Sequence, residues 1–209
     1  GAAVDDATLE YTGGDGADTL RLTGLATADA STITFNGGEG EDVLDFFAHD
    51  INLDASTLTL TGVETLVLTA GAGTDATVKA AVLNGASFAI EGEGLASGVL
   101  ADTIKAIGAA TDRSFDGSSL QLNGSVDKGV KGLEIDFNLV TAGASTITGS
   151  GGDDVITLND NGKDDTINMA FAGNDGVDSI TAFEAGASGD ILDFTGDNPL
   201  GGTGISAGG

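Results

Sequence analysis

The chain has 209 residues, of which 40% are hydrophobic, and its 33 acidic and 7 basic residues give a formal net charge of −26. The absence of cysteine excludes disulfides and thiolate metal sites, no apolar run approaches the ~18 residues of a membrane-spanning helix, and the negative charge makes nucleic acids and anionic membranes poor partners. The 35 glycines and the single proline favour many tight turns joined by short strands.

The first 94 residues predict a succession of short β-strands. In each run, apolar and polar residues alternate, and Gly, Asn or Asp stands at the ends. The centres of the runs advance by about 11 to 13 residues, close to the ~8–12-residue spacing of all-β folds. The predicted strands span residues 19–22, 31–35, 43–47, 57–60, 65–69, 76–80 and 87–90.

Two glycine-rich segments between these strands fit the nonapeptide G-G-x-G-x-D-x-U-x, in which U is a large apolar residue. They are residues 13–21 and 37–45, and each matches every specified position. The glycines allow a left-handed backbone with inward-facing carbonyls, and the aspartate supplies an anionic oxygen. The pattern therefore predicts calcium loops. Their candidate ligands are Asp15, Asp18, Glu39 and Asp42.

The centre of the chain departs from this regular spacing of strands. Leu100, Ile104 and Ile107 lie at i, i+4 and i+7, the stripe of a helix, within residues 95–110. We therefore predict a short helical insert and a turn over residues 95–118, after which the strand pattern resumes.

The strand rhythm returns near the C-terminus and suggests a duplication. Residues 144–148 repeat the five letters of residues 30–34, and a Gly-Gly pair follows both copies. The returning strands span residues 155–158, 166–169, 179–183 and 191–194.

These patterns divide the chain into four parts. We predict an N-terminal solenoid over residues 1–94, the helical insert over 95–118 and a C-terminal solenoid over 119–200. The glycine-rich residues 201–209 are expected to be a truncation or a linker.

Acidic residues repeat at a common interval. Three pairs are 24 or 25 residues apart, namely Asp18 and Asp42, Asp154 and Asp178, and Asp165 and Asp190. If one turn of a coil holds two strands and two loops, carboxylates of successive turns face one another. Like charges so placed repel unless a cation lies between them. Ca²⁺ suits such a gap, because it accepts about six to eight oxygens in flexible geometry.

The nonapeptides resemble those of the repeats-in-toxin (RTX) calcium-binding proteins. In that family, each loop of a parallel β-roll contributes its aspartate and backbone carbonyls to ions held between turns. The resemblance extends to diverged copies at residues 149–157, 160–168 and 173–181, and residues 177–194 look like the closing repeat of such an array. The further ligands that the resemblance implies are Asp153, Asp154, Asp165, Asp175, Asp178 and Asp190.

The fold prediction is therefore all-β: a parallel β-helix or β-roll-like solenoid of short strands joined by Gly/Asp-rich calcium loops, with a short central helical insert. Runs such as residues 58–69 also resemble the strand repeats of bacterial S-layer and other secreted surface proteins. Together the two resemblances imply a type I-secreted, non-catalytic protein of the cell surface. Calcium would order its fold and its self-association into an S-layer or an extracellular filament, without membrane insertion.

Other functions stay open at this point. The chain could be the RTX calcium-folding module of a larger type I-secreted enzyme or adhesin, or a carbohydrate-binding β-sandwich with incidental calcium. Its single histidine, His49, and the absence of HExxH argue against zinc catalysis. Paired carboxylates are numerous enough for a glycosidase-like pair. However, sugar sites usually have aromatic platforms, and the chain has no Trp and one Tyr.

Overall fold

A computed structural model of the chain describes residues 8–23, 30–47, 51–69, 75–92, 102–123, 130, 132–168, 177–186 and 189–193. Nearly all of these residues lie in strands, turns and short connections. In chain order, the elements are β1 (Thr8–Thr12), β2 (Thr19–Leu22), β3 (Thr32–Asn36), β4 (Val43–Phe46), β5 (Ile51–Asn52), β6 (Thr57–Thr61), β7 (Thr65–Leu68), β8 (Asp75–Lys79), α1 (Ala80–Leu83), β9 (Ala89–Gly92), β10 (Thr103–Ile107), β11 (Ser114–Asp116), β12 (Gln121–Asn123), β13 (Leu133–Asp136), β14 (Thr146–Thr148), β15 (Val155–Thr157), β16 (Thr166–Asn168), β17 (Ser179–Thr181) and β18 (Ile191–Asp193).

The strands form four parallel sheets. Sheet I has the order β1-β3-β6, sheet II the order β2-β4-β7-β9-β12, sheet III the order β5-β8-β10-β13-β15-β17, and sheet IV the order β11-β14-β16-β18. Consecutive strands of the chain lie in different sheets, and each strand pairs with strands one turn away. The chain therefore winds as a parallel β-solenoid of about six stacked turns, which confirms the predicted fold class.

The sides of the coil change along its length. From β4 to β8 the chain passes through sheets II, III and I in turn, whereas from β13 onward it alternates between sheets III and IV. Helix α1 lies at this change, because it contacts both β6, at the end of sheet I, and β11, at the start of sheet IV. Beyond the helix, the Gly85 N–H donates to the Asp116 carbonyl at 2.8 Å. The helix thus stands where the next strand of sheet I would otherwise lie.

The core consists of apolar side chains that repeat at equivalent positions of successive turns. Side chains alternate along a strand, so every second residue points inward. In sheet II, Leu44, Leu66 and Ile90 are in register and fully buried. In sheet III, Ile135 pairs with Ile156 in the same way. The predicted strands are confirmed in position to within one or two residues. The apolar–polar alternation that predicted them arises because every second side chain joins one of these buried stacks.

The predicted central helix is wrong for the part that the structure describes. Residues 103–107 form β10, which pairs with β8 on one side and β13 on the other. Ile104 and Ala106 are buried, whereas Ile107 alternates to the outer face, so the apolar stripe did not mark one side of a helix. Pairing along both edges satisfies the backbone of this segment and outweighs a weak helical periodicity. Leu100 lies outside the described residues.

Residues 95–118 thus contribute β10 and β11 to the coil. Sheet III continues through them from β5 to β17. In the described part of the chain the single helix is α1, whose first residue, Ala80, ends the strand predicted over residues 76–80. No helix among the described residues has the length and apolar character needed to span a bilayer.

Adjacent phenylalanines provide a matched test of the core. Phe46 is 0% exposed, whereas Phe47 is 44% exposed and its ring centroid lies 4.3 Å from the Arg21 guanidinium. We predict that Phe46→Ala lowers the free energy of unfolding by about 3–5 kcal/mol, and Phe47→Ala by no more than about 1 kcal/mol. Urea denaturation of the two variants measures both losses. Equal losses would contradict the inward direction of Phe46.

Candidate functional site

The two loops with full nonapeptide matches stack directly on each other. One connects β1 to β2 and the other connects β3 to β4, so they occupy the same corner in successive turns. Asp15 and Glu39 form a parallel bridge there, in which the Glu39 N–H donates to the Gly14 carbonyl at 3.1 Å and the Gly16 N–H donates to the Glu39 carbonyl at 2.6 Å. The 24-residue interval predicted that the two loops stack, and the structure joins them backbone to backbone.

Glycine is required at this corner by both conformation and space. Gly38 and Gly40 have φ values of +111° and +138°, which L side chains rarely adopt. A Cβ at Gly38 would overlap the Gly14 carbonyl oxygen, and one at Gly40 would lie 2.5 Å from the Gly16 carbonyl oxygen. Carbonyl oxygens of one loop thus face the glycines of the next.

The motif aspartates accept hydrogen bonds from the backbone of the preceding turn. The Asp18 N–H donates to Asp42 Oδ1 at 2.8 Å, and the Asp42 N–H donates to Glu64 Oε2 at 2.7 Å. We call Asp18, Asp42 and Glu64 the N-terminal carboxylate ladder. Each such bond joins an N–H donor to a carboxylate, which makes it stronger than a neutral hydrogen bond.

Glu64 is a ladder residue that the nonapeptide pattern does not mark. Its loop, residues 62–64, has lost most of the nonapeptide, but the acid still comes directly before a strand, as Asp42 does. The sequence marks Glu64 only by its place directly before a strand, 22 residues after Asp42.

The same arrangement recurs twice in the C-terminal turns, as two series that we call the C-terminal carboxylate ladders. The Leu133 N–H donates to Asp154 Oδ1 at 2.7 Å, and the Asp154 N–H donates to Asp178 Oδ1 at 3.0 Å. In a parallel series, the Ser145 N–H donates to Asp165 Oδ1 at 2.6 Å, and the Asp165 N–H donates to Asp190 Oδ1 at 2.9 Å. All three pairs spaced by 24 or 25 residues are therefore in contact, through a carboxylate and a backbone N–H.

The remaining predicted ligands are distributed differently. Asp15 and Glu39 are exposed at the loop tips, and Asp153 is also exposed, where its Oδ1 accepts the Val177 N–H at 2.7 Å. Asp175 and His49 lie outside the described residues.

Burial changes the acidity of two ladder residues. Asp154 is 0% exposed, and burial raises the pKa of its carboxyl even though it accepts hydrogen bonds from Leu133 and Ser150. Burial likewise raises the pKa of Asp165, and the nearby Asp190 charge adds to the effect. Ionisation of either carboxyl at neutral pH therefore lowers the free energy of unfolding.

One ladder oxygen has no hydrogen-bond donor. Asp42 is 0% exposed, and its Oδ2 makes no hydrogen bond with the rest of the described structure. A Cβ added at Gly37 would overlap both this oxygen and the Gly62 carbonyl oxygen, so the two oxygens are neighbours. One turn away, a Cβ at Gly13 would overlap Asp18 Oδ2 and the Gly37 carbonyl oxygen in the same way.

The Asp42 carboxylate and the Gly62 carbonyl place two hard oxygens side by side. Among the described residues, no three His, Cys, Asp or Glu side chains converge on one metal-sized point. Ca²⁺ readily combines carboxylate with backbone carbonyl oxygens. The Asp42 Oδ2 and Gly62 carbonyl pair supplies one of each, in a place that only glycine leaves open.

Comparison of the chain with family models, with curated proteins and with solved structures gives no match in any of the three. The candidate site therefore rests on the geometry of the chain itself.

The raised pKa of Asp154 predicts how stability depends on pH without metal. Its folded pKa lies above the ordinary value of 3.8, so the neutral carboxyl favours the fold. That contribution is complete below the ordinary pKa and is lost as pH rises through the folded pKa. In chelator, we therefore expect the melting temperature to rise as the pH falls through the folded pKa towards the ordinary value of 3.8.

Thermal melts of the wild type, Asp154→Asn and Asp54→Asn in EDTA measure this effect. Asp54 is exposed in the turn after β5 and serves as the control. Asp154→Asn should flatten the pH profile, and Asp54→Asn should leave its slope unchanged. A melting temperature that falls on acidification in EDTA would contradict the prediction.

Proposed function

We propose that the chain is a non-catalytic, calcium-binding structural protein of the bacterial cell surface. In this proposal, Ca²⁺ orders the stacked turns at the glycine-rich corner, and the ordered solenoid self-associates outside the cell. The observation that carries the proposal is the buried, donor-free Asp42 Oδ2 beside the Gly62 carbonyl oxygen.

A cation would resolve an imbalance at this corner. A buried carboxylate oxygen without a partner is expensive, because the desolvation cost is not offset. The N-terminal carboxylate ladder also places the like charges of Asp18, Asp42 and Glu64 in successive turns, where they repel one another. A bound Ca²⁺ would satisfy the open oxygen and neutralise two of the 26 excess negative charges.

Two successive turns each offer a pair of oxygens that could bind such an ion. Asp42 Oδ2 and the Gly62 carbonyl would hold one ion, and Asp18 Oδ2 and the Gly37 carbonyl offer the equivalent pair one turn earlier. The Asp18 oxygen already accepts the Gly14 N–H at 2.9 Å, so the Asp42 level is the better candidate. The ion would contribute charge neutralisation and a rigid connection between turns.

In the C-terminal ladders the carboxylates are better satisfied by the protein. Asp154 Oδ1 accepts from the Leu133 N–H and the Ser150 hydroxyl, and its Oδ2 accepts from the Ser150 N–H at 2.6 Å. The other acids that the RTX resemblance implies remain predicted ligands. Calcium binding is proposed first for the N-terminal corner.

Self-association is supported by the ends of the sheets. β1 and β2 lie at one end of sheets I and II, and β17 and β18 lie at the opposite end of sheets III and IV. A terminal strand of a sheet carries unpaired backbone groups along one side, which favours pairing with another chain. Contact between the two different ends would be heterologous, and such contacts extend into a filament when they do not close a ring.

The second candidate function is the RTX calcium-folding module of a larger type I-secreted enzyme or adhesin. This candidate has the same proposed calcium site. It differs in the role of the ordered solenoid, which would be one folded part of a larger protein and not a subunit of an assembly. Intact mass of the native protein separates the two, because a longer product with a catalytic or ligand-binding domain supports the module.

The Asp42→Asn variant tests the calcium site with opposite expectations in two buffers. An amide oxygen can still accept the Asp18 N–H, while the amide nitrogen can donate to the Gly62 carbonyl. In EDTA we expect the variant to be at least as stable as the wild type. In calcium the wild type should gain about 2.7 kcal/mol at a free concentration 100 times its Kd, and the variant should gain less.

Circular dichroism melts across a Ca²⁺ titration measure both effects, with Asp54→Asn as the matched exposed control. The control should follow the wild type in both buffers. Equal calcium-dependent stabilisation of the wild type and Asp42→Asn would remove Asp42 from the account.

Electron microscopy and sedimentation with and without Ca²⁺ test the assembly. We expect ordered filaments or sheets in millimolar Ca²⁺ and dispersed particles in chelator, because pairing between terminal strands needs an ordered solenoid. A strict monomer at high protein concentration in millimolar Ca²⁺ would contradict the structural role and favour the module.

A further inference from the structure

One outer surface of the solenoid differs in chemistry from the others. The outward positions of sheet I form three rows across β1, β3 and β6, and we call this surface the threonine face. Seven of its nine positions are threonine. The rows are Thr8, Thr32 and Thr57; Glu10, Thr34 and Thr59; and Thr12, Asn36 and Thr61.

The threonine face is a regular two-dimensional grid. Five consecutive positions pair in each of its two strand interfaces, without a bulge. Neighbouring parallel strands lie about 4.8 Å apart, and alternate residues along a strand about 6.6 Å apart. Hydroxyl and methyl groups therefore repeat at nearly constant spacing in both directions.

The grid is nearly uncharged, although the chain has a net charge of −26. Glu10 is its single ionisable side chain. The outward positions of the other sheets carry charges. They include the Arg21–Asp45 pair of sheet II, Lys105 with Glu134 in sheet III, and Asp116 and Asp193 of sheet IV. Apart from Glu10, the threonine face thus lacks charged groups that would recognise a charged partner.

The grid is also held rigid from below. Threonine has restricted χ1 freedom, so little side-chain entropy is lost when its hydroxyl is engaged. The intervening Ile33 and Phe35 of β3 are fully buried, and Tyr11 of β1 packs on Phe35 with ring centroids 5.5 Å apart. The spacing of the outer groups is therefore fixed before any ligand binds.

We propose that the threonine face binds ice. Hexagonal ice presents uncharged water oxygens on flat planes whose repeats are close to the strand spacing and the alternate-residue spacing of this grid. The threonine hydroxyls can join such a lattice as donors and acceptors, and their methyl groups fill the spaces between water molecules.

The composition of the face favours ice over other flat ligands. Crystalline polysaccharides are usually held by outward aromatic rings, whereas the only aromatic side chains of sheet I, Tyr11 and Phe35, belong to its inward rows. A protein partner would be expected to meet aromatic, Met or Arg anchors, and the nine positions hold none. This function goes beyond the proposed calcium role and needs only a folded sheet I.

The experiment measures partition of the full chain into a slowly growing ice surface, and the gap between freezing and melting temperatures, in millimolar CaCl₂. Thr34→Tyr changes the centre of the grid. Thr77→Tyr is its control, because Thr77 is an outward, half-buried threonine in the middle of β8 in sheet III. Tyrosine is favourable in strands, so both variants should fold.

We expect the wild type and Thr77→Tyr to enter the ice equally and Thr34→Tyr to lose most of its incorporation. Glu10→Thr completes the middle row and should raise incorporation, a gain that misfolding cannot produce. Exclusion of the wild type from ice overturns the proposal, as does equal incorporation of all variants. So does selective binding of the wild type to chitin or cellulose, or a dimer that only Thr34→Tyr disrupts.

Discussion

The hydrogen bond from a backbone N–H to a carboxylate one turn later is the interaction on which the N-terminal corner depends. Asp42 accepts the N–H of Asp18, and Glu64 accepts the N–H of Asp42. The acid must return to the same corner in every turn, which explains its regular interval along the sequence. It must also sit beside a closely approaching loop, which explains why Gly38 and Gly40 are glycines.

The ladders connect the fold to its proposed dependence on calcium. A carboxylate that accepts N–H groups strengthens the contact between turns, but repeating it through the coil stacks negative charges in buried positions. In the C-terminal ladder, Ser150 supplies additional donors to Asp154. At Asp42 no such donor is present among the described residues, and a neighbouring carbonyl oxygen stands in its place. We therefore propose the ion at Asp42 Oδ2, the ladder oxygen for which the described residues supply no hydrogen-bond donor.

Much of this architecture could be predicted from the sequence, because its signals are local and repeated. Alternation along residues 43–47 predicts β4, and the nonapeptide predicts the tight loop before it. The role of Asp42 cannot be predicted in the same way. An interval of 24 residues indicates that two acids lie in adjacent turns, but not whether a backbone N–H or an ion lies between them. The spacing of Ile104 and Ile107 predicts a helix, because a short apolar run fits the helical period as well as the strand period. Pairing of β10 with β8 and β13 in neighbouring turns makes this segment a strand.

The most direct test of the calcium account is an anomalous difference map from crystals grown in Ca²⁺, collected at long wavelength. We expect a peak at the N-terminal corner, at ~2.3–2.6 Å from Asp42 Oδ2 and the Gly62 carbonyl oxygen. The same loops without anomalous density at saturating Ca²⁺, in a solenoid that remains fully ordered, would contradict it.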